Sequence, residues 1–509
     1  MQNSNKVIDV ILVSPAASYT LGIKYLHSVL LKNNFSVCSL ALTYCNEKEK
    51  DLVIEFIKNK QPLVVGFTVF SQSLRDIIDI TKRLKRTSNS FIVWGGPHPT
   101  IDPEECLKYA DGICIGDGEN LIVDLVGRVK EKKSLKGIKN LWFKERRKII
   151  KNETGDFIKD FNMLPFPYFF EDNFYFVVEQ HFYSRLPYRI MPKNLVVTSL
   201  IGRYCPYACS YCINSVVNKS RNVQEKKHVR NIIEELKSEM KRGRVGYIVF
   251  ADDIFPTDDS FLEPFVFLYK KHIRLNFAIS THPLIFNLTK YELLRDAGLW
   301  TCKIGIQTAS EKILKIYNRP SSNKKIIKVY GKSRKLHISI LIDIIISPFE
   351  TLEDTMKTAN LVFQLRKYSI IVFHNLLFYK NYPITKFCLE QKIIKEEDII
   401  GINSVADQSI VNFEYMNKSQ IKFYLIMSLS SLGIKPNIAR MLVMKIENHD
   451  WLLLFSAKMI LIYNNKMIAL KLKFSRLMKF INADLRLKRY LLKLFLSNFM
   501  GKRVNFFEI

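Results

Sequence analysis

The sequence predicts an α/β protein with two parallel-sheet units and a helical C-terminal region. Short apolar runs alternate with amphipathic segments from Val7 to Lys130, the alternation resumes with wider spacing from Asn194, and it fades beyond Lys392. At 509 residues, 48% hydrophobic and 25% charged, the chain has the composition of a globular protein with room for several domains.

Expected strands of the first unit are Val7–Val13, Val37–Ala41, Leu63–Thr68, Phe91–Trp94 and Gly112–Ile115. Expected helices are Leu21–Asn33, Glu47–Lys58, Leu74–Thr87, Ile101–Lys108 and Glu119–Lys130. Five strands with intervening helices make a doubly wound, flavodoxin-like sheet, whose ligands bind at the carboxyl ends of its strands. Those ends carry Ser14-Pro15, Thr20-Leu21-Gly22, Thr68 with Ser71, Gly95-Gly96-Pro97-His98-Pro99-Thr100 and Gly116-Asp117-Gly118-Glu119. Glycines along one rim let backbone approach a flat or phosphorylated ligand. Ordinary left-handed turns explain each glycine alone equally well, and His98 alone reads first as a structural loop histidine.

From Gly137 to Pro192 runs a connector with a basic, hairpin-like piece at Leu141–Ile150 and two prolines, Pro165 and Pro167, that hold the chain extended. Its Tyr/Phe-rich continuation to Tyr188 is too aromatic to stay solvated, which predicts an ordered linker laid along a surface.

The second unit has expected strands at Leu195–Leu200, Val245–Phe250, Leu275–Ile279, Thr301–Ile306, Ile338–Ile346 and Ile370–Leu377. Helical patterns lie between and after them at Val229–Arg242, Ser260–Lys270, Thr289–Ala297, Ser310–Tyr317, Lys324–Lys335 and Thr351–Leu365. Six βα units predict a partial (β/α)6 barrel with its site at the carboxyl mouth of the strands. Directly after the first of these strands comes Cys205-Pro206-Tyr207-Ala208-Cys209-Ser210-Tyr211-Cys212, a C-x3-C-x2-C spacing. Three thiolates on one loop can hold three irons of a 4Fe–4S cluster and leave the fourth open to a small molecule. A zinc loop needs a fourth ligand, and no CxxC or HxxxH partner lies nearby.

Nine cysteines, odd in number and irregularly spaced, do not form a disulfide framework. Cys38, Cys45, Cys106, Cys114, Cys302 and Cys388 sit mostly in apolar contexts and read as buried thiols. The expected setting is reduced, cytoplasmic and anaerobic. The net charge of +29 is spread along the whole chain without a basic-aromatic RNA motif, so nucleic acid is not the expected partner. There is no signal-peptide pattern and no run of about 20 apolar residues. From Trp451 to Ile509, 12 Lys/Arg face 2 acidic residues, and Leu470, Phe474, Leu477, Ile481 and Leu485 recur at helical spacing. Such a helix packs on its own domain more often than it lies on a membrane surface, which leaves peripheral membrane contact as the lesser expectation.

The cysteine motif, with Tyr211 before its last cysteine and a six-unit barrel behind it, resembles the radical SAM superfamily. Further stretches are similar to its branch with an N-terminal cobalamin-binding domain. Thr20-Leu21-Gly22-Ile23-Lys24-Tyr25-Leu26 resembles the first-helix signature of that branch. The Gly95–Thr100 and Gly116–Glu119 stretches resemble its corrin-facing loops, and Leu164-Pro165-Phe166-Pro167 its interdomain linker. In the barrel the matching stretches are Phe250-Ala251-Asp252-Asp253, Gly305-Ile306-Gln307-Thr308-Ala309-Ser310 and Ser347-Pro348-Phe349-Glu350-Thr351. The likeness covers residues 1 to about 390 and implies a cobalamin-binding domain at 1–135, a linker at 136–192, a radical SAM barrel at 193–392 and a helical, basic region at 393–509.

The resemblance implies that Cys205, Cys209 and Cys212 ligate a 4Fe–4S cluster and are catalytic through it. It implies that Tyr211, Asp252, Asp253 and Gln307 contact S-adenosylmethionine (SAM), with Tyr211 against the adenine and an aspartate on the amino group. Gly95, Gly96, His98, Gly116, Gly118 and Glu119 are the expected cobalamin contacts. Three departures stand out. Ala251-Asp252-Asp253 replaces Gly-Gly-Glu, Gln307 replaces a glutamate, and Phe349 replaces the glycine of Pro-Gly-Glu-Thr. No Asp-x-His-x-x-Gly occurs, so the cobalt has no expected protein histidine.

The implied activity is reductive cleavage of SAM to a 5′-deoxyadenosyl radical and methyl transfer to an unactivated carbon. Electrons would come from a reductant such as flavodoxin or ferredoxin, and the substrate would be a small molecule, lipid or peptide. The alternatives are a radical SAM cyclase or rearrangement enzyme without methyl transfer, and a non-catalytic corrinoid or redox-responsive binding protein.

Overall fold

The computed structural model describes residues 7–17, 20–146, 148–155, 157–167, 173–184, 195–203, 205–217, 226–243, 245–366, 369–401 and 416–446, with 454, 456–458 and 460. In the first unit, β1 (Val10–Ser14), β2 (Val37–Leu42), β3 (Val64–Thr68), β4 (Phe91–Gly95) and β5 (Gly112–Cys114) run parallel in the order β5-β4-β3-β1-β2. Helices α1 (Leu21–Lys32), α2 (Glu47–Lys60), α3 (Leu74–Leu84) and α6 (Glu119–Lys130) cover the two faces. Ile11, Val13, Val65 and Phe67 pack with Val53, Ile57, Ile77 and Ile80 on one side. Val10, Leu12 and Val93 pack with Ile23, Leu30, Leu121 and Leu125 on the other. Burial on both faces explains why these strands read as continuous Val/Ile/Leu runs. The strand order reverses between β1 and β3, and the crevice at their carboxyl ends is where such a sheet takes a ligand.

The expected helix Ile101–Lys108 is instead two short ones, α4 (Pro97–Ile101) and α5 (Pro103–Leu107). Asp102 sits between them in a non-helical conformation and Pro103 opens the second, since proline cannot continue a helix but suits a first turn.

The connector also differs from expectation. Rather than lying along a surface it extends the sheet to nine strands, in the order β7-β6-β5-β4-β3-β1-β2-β8-β9. The hairpin β6 (Leu141–Glu145) and β7 (Lys148–Lys151) pairs antiparallel on β5, while β8 (Phe174–Val178) pairs parallel with β2 and carries β9 (His181–Tyr183). The aromatics that demanded burial find it here, because Phe174 and Phe176 enter the core. Glu49 at the start of α2 accepts N–H groups from Thr43, Tyr44, Cys45 and Glu179, tying the β2–α2 turn to the end of β8.

In the second unit β10 (Leu195–Ser199), β11 (Val245–Phe250), β12 (Phe277–Thr281), β13 (Leu299–Gln307), β14 (Ser339–Ile346) and β15 (Ser369–Asn375) form a six-stranded parallel sheet in sequence order. The helices that follow them are α7 (Asn214–Val217), α8 (Val229–Arg242), α9 (Asp259–His272), α10 (Leu288–Ala297), α11 (Glu311–Ile316), α12 (Asn323–Lys335), α13 (Leu352–Leu365) and α14 (Pro383–Glu390). Cys302, Ile304, Ile306, Ile340, Ile342, Ile344 and Ile346 pack under the helices, which leaves Lys303, Gly305 and Asp343 on the opposite, inner face of the alternating strands. Helices α15 (Lys418–Leu432) and α16 (Pro436–Ile446) join the same core, with Tyr424 edge-on to Phe373 at 5.7 Å. The expected basic helix around Leu470 to Leu485 lies outside the described residues.

Candidate active site

The cysteine loop follows β10 and is pinned at both ends by other elements of the barrel. Ile201 and Gly202 donate their N–H groups to the Asp252 carboxylate at 3.1 and 2.8 Å. Ser210 donates its N–H to the Tyr317 carbonyl and its hydroxyl to that of Ile316, and its own carbonyl accepts from Ile384. Cys209 is buried and Cys205 and Cys212 are partly exposed, with none of the three in a disulfide. Burial pushes the Cys205 and Cys212 thiols up to about 11. Among the described residues no three His, Cys, Asp or Glu side chains converge on a point that could hold one metal ion. Three soft sulfurs on one loop, one of them approached by the Arg319 guanidinium at 3.5 Å, suit a multi-iron, anionic group better than a single hard cation.

The residues expected at SAM are not equivalent. Asp252 is buried as the acceptor for the loop backbone, and burial pushes its carboxyl up to about 7. Asp253 is exposed, lines the cleft described below and accepts from Asn214 Nδ2 at 2.9 Å. Of the two, Asp253 has the position from which a carboxylate can meet an ammonium. Gln307 sits at φ 71°, where the pairing of β13 with β14 shifts by one residue, and its buried Oε1 has no partner. Tyr211 turns away from the cleft lining, edge-on to Tyr317 at 4.9 Å. Phe349, in place of the expected glycine, packs against Tyr317 and Phe387.

A cleft of about 550 Å³ separates the carboxyl rims of the two sheets. The first unit contributes Gly22, Gly66, Thr68, Gly95, Gly96, Gly116 and Gly118, and the barrel contributes Thr198, Gly202, Ile213, Asn214 and Asp253. Gly96 and Gly116 have φ of 101° and 84°, and a Cβ at Gly116 would lie 2.5 Å from the Phe157 ring. Thr100 links the two loops, donating to the Gly96 carbonyl and accepting from Gly116 N. At Gly22 and Gly202 an added Cβ would meet nothing within 4 Å, so both positions leave open space in the cleft. A large apolar-walled cleft with glycine on both rims fits a broad, flat group such as a corrin.

Of the residues expected there, Glu119 lines the cleft but is already paired, and His98 stands outside it. Glu119 is buried in an ion pair with Arg203, which also meets Asp117 at 3.1 Å and packs its guanidinium over Phe161. His98 is buried with Nδ1 bonded to Ser71 at 2.9 Å and does not line the cleft, although Pro97 and Thr100 do. Burial lowers the His98 ring to about 4, so it is neutral.

Several residues were invisible as motifs. Arg203 lies two positions before Cys205, and that proximity is its only sequence signal. Lys227 joins Tyr25 of the first unit to Glu235 of α8, with Ser199 donating to the same glutamate. Inside the barrel, Asp343 accepts from Lys303 Nζ and His374 Nε2, both at 3.1 Å, linking three neighbouring strands. These contacts join residues far apart in sequence, which no local spacing reveals.

Two family models match the chain. The B12 binding domain matches residues 8–126 and the Radical SAM superfamily residues 199–362. An uncharacterised methyltransferase of Pyrococcus horikoshii is 26% identical over 317 residues, 60% of this chain and 65% of that protein. The anaerobic magnesium-protoporphyrin IX monomethyl ester cyclase of Rubrivivax gelatinosus is 23% identical over 66% of this chain and 61% of its own length. This chain therefore spans less than two thirds of either relative. In fold it is similar to OxsB, a cobalamin-dependent SAM radical enzyme solved with aqua-cobalamin and SAM, with a TM-score of 0.65 at 15% identity over 98% of this chain and 84% of that one.

Proposed function

Because the chain belongs to the radical SAM superfamily, in the branch with an N-terminal B12-binding domain, we propose that it is an enzyme that cleaves SAM reductively and transfers a methyl group to a carbon of a small organic substrate. One observation carries the reading: the cysteine loop's continuation, Ile213 and Asn214, and the glycine loops at Gly96 and Gly116 line the same cleft. When bound, the cluster supplies an electron and an open coordination position for SAM, and cobalamin supplies a methyl carrier.

The chain's own residues hold and shield these groups. Cys205, Cys209 and Cys212 hold the cluster, while Asp253, steadied by Asn214, accepts from the cationic amino group of SAM. The apolar cleft wall of Leu12, Ile23, Leu121 and Ile122 excludes water from the reacting carbon. The Lys303–Asp343–His374 chain gives the barrel interior a hydrogen-bonding anchor for one end of the substrate, with Asp343 fixing the ring so that Nε2 donates. Electrons come from a reductant such as flavodoxin or ferredoxin in a reduced cytoplasm. Among the described residues no helix is long and apolar enough to cross a membrane.

The test is anaerobic purification with iron, sulfide and cobalamin, then incubation with SAM and a reductant. 5′-Deoxyadenosine together with S-adenosylhomocysteine is the expected result, and failure to cleave SAM sinks the enzymatic reading. The likeness to a cyclase favours one alternative, a radical cyclisation or rearrangement without methyl transfer. 5′-Deoxyadenosine without S-adenosylhomocysteine would select it.

A further inference from the structure

A guanidinium taken out of water needs a counter-charge, and Arg319 has none among the described carboxylates. It follows α11 and folds beneath the cysteine loop. Nη1 approaches Cys209 Sγ at 3.5 Å, Nη2 donates to the Gly305 carbonyl, and Nε is buried with no partner among the described residues. Its strongest electrostatic neighbours are Tyr211, Cys209 and Cys205, and Tyr207 and His282 also feel its charge; none of these is a carboxylate. The residue at 307, where the resemblance expects glutamate, is a neutral glutamine.

The strand beneath is shaped around this side chain. Gly305 pairs with Asp343 and Gln307 with Ile344, so the ladder slips by one residue where Nη2 reaches the Gly305 carbonyl. A Cβ at 305 would lie 2.5 Å from Gln307 Nε2 and 3.2 Å from Arg319 Nη2. Glycine, bulge and left-handed Gln307 together leave room for one half-buried cation against one cysteine sulfur.

We propose that Arg319 is the counter-charge of the cluster held by the cysteine loop, a positioning residue that holds Cys209 Sγ and raises the cluster's reduction potential. The inference rests on the reading that this loop binds a 4Fe–4S cluster. Three thiolates give the assembled group net negative charge, which grows on reduction. A fixed cation in a low-dielectric site therefore stabilises the reduced form more than the oxidised one.

The experiment is an EPR-monitored redox titration of the reconstituted full chain, wild type against Arg319→Gln and Arg319→Lys, with iron and sulfide quantified in each. Arg319→Gln is expected to keep its cluster and titrate at a more negative potential. Its reduced-cluster signal at a fixed dithionite concentration should also be smaller. Arg319→Lys, which keeps the charge, is expected to stay close to wild type. Equal potentials in wild type and Arg319→Gln, or equal shifts in both variants, would overturn the proposal. Loss of the cluster from both variants would also overturn it, in favour of a purely structural anchor. A wild-type chain that takes up no cluster overturns the functional reading and this one with it, whereas a loaded wild type with an indifferent Arg319 overturns this one alone.

Discussion

The rim supplied by the first unit is rich in bare backbone, with Gly22, Gly66, Gly95, Gly96, Gly116 and Gly118 around the cleft; the Asp117 and Glu119 carboxylates that also line it are paired with Arg203, and His98 is turned away from it. The barrel rim works through side chains: three thiols, Asp253 held by Asn214, and, beneath the loop, the half-buried Arg319 and the buried Asp252. A rim of glycines recognises by shape and admits a large flat group without a charge partner. A rim of thiols and charges recognises by chemistry and depends on every partner being in place. Substitutions that add volume should therefore disable the first rim, and substitutions that remove a charge should disable the second.

The largest effect is expected where the two meet. Arg203 is 18% exposed and Asp117 and Glu119 are 3% exposed at their side chains, so Arg203→Leu removes the cation that two buried carboxylates share, although Asp117 keeps the N–H of Ile158. Such a loss costs about 3–5 kcal/mol of unfolding free energy. Denaturant titration of the full chain measures it, and a change below about 1 kcal/mol would mean that the units are held together mainly by other contacts, since only an exposed pair is worth so little.

The shape rule is tested by Gly22→Leu. The new side chain stands in open space at the second position of α1, so stability should hold or rise by roughly 0.5 kcal/mol through better helix propensity. Bulk forced into an occupied site typically costs about 1–3 kcal/mol, so cobalamin should bind at least roughly fivefold more weakly. Undiminished cobalamin content after anaerobic reconstitution would remove the cleft as the corrin site.

The two rims were also unequally legible in the sequence. The glycine loops and the cysteine loop are contiguous stretches, and each falls at the carboxyl end of a strand that its own apolar run predicts, so both are legible in the sequence. The partners of those loops are not. Arg203 with Glu119, and Arg319 with Cys209, pair across 84 and 110 positions, and only the fold brings them together. The connector's place is hidden for a related reason: the aromatic run shows that Phe174 and Phe176 must be buried, but not that the vacant edge of β2 takes them. Of the adjacent aspartates, neither spacing nor residue type distinguishes the buried Asp252 from the exposed Asp253.

That pair gives a pH test of the charge-dependent rim. Asp252 holds its proton more tightly in the fold than in the unfolded chain, about 7 against 3.8, chiefly because it is buried. Its contribution to stability is complete below about pH 4 and is lost as pH rises through about 7, with a slope of at most about 1.4 kcal/mol per pH unit for the one group. Glu350, pushed up to about 8, and Glu49, pushed up to about 7, act in the same direction. Asp252→Asn should make stability fall less steeply between pH 5 and 8. The same slope in both proteins would show that the carboxyl titrates normally, and that the Ile201 and Gly202 N–H groups suffice to keep it ionised.

The smallest expected effect concerns His98, which belongs to the shape-dependent rim and carries the imidazole nearest its glycines in sequence. If it ligated cobalt, the first rim would also work by chemistry and the contrast would fail. The ring is neutral, bonded through Nδ1 to Ser71, and buried on the side of α4 turned away from the cleft that Pro97 and Thr100 line. Its partnerless Nε2 does not change this, because a coordinating nitrogen must reach the cleft and the ring does not line it. His98→Gln should therefore cost about 1 kcal/mol through the lost bond to Ser71, and should leave the optical and EPR spectra of the cobalamin-loaded protein unchanged. A shifted corrin spectrum in His98→Gln, with cobalamin content intact, would place the imidazole on the cobalt and require the first rim to move on binding.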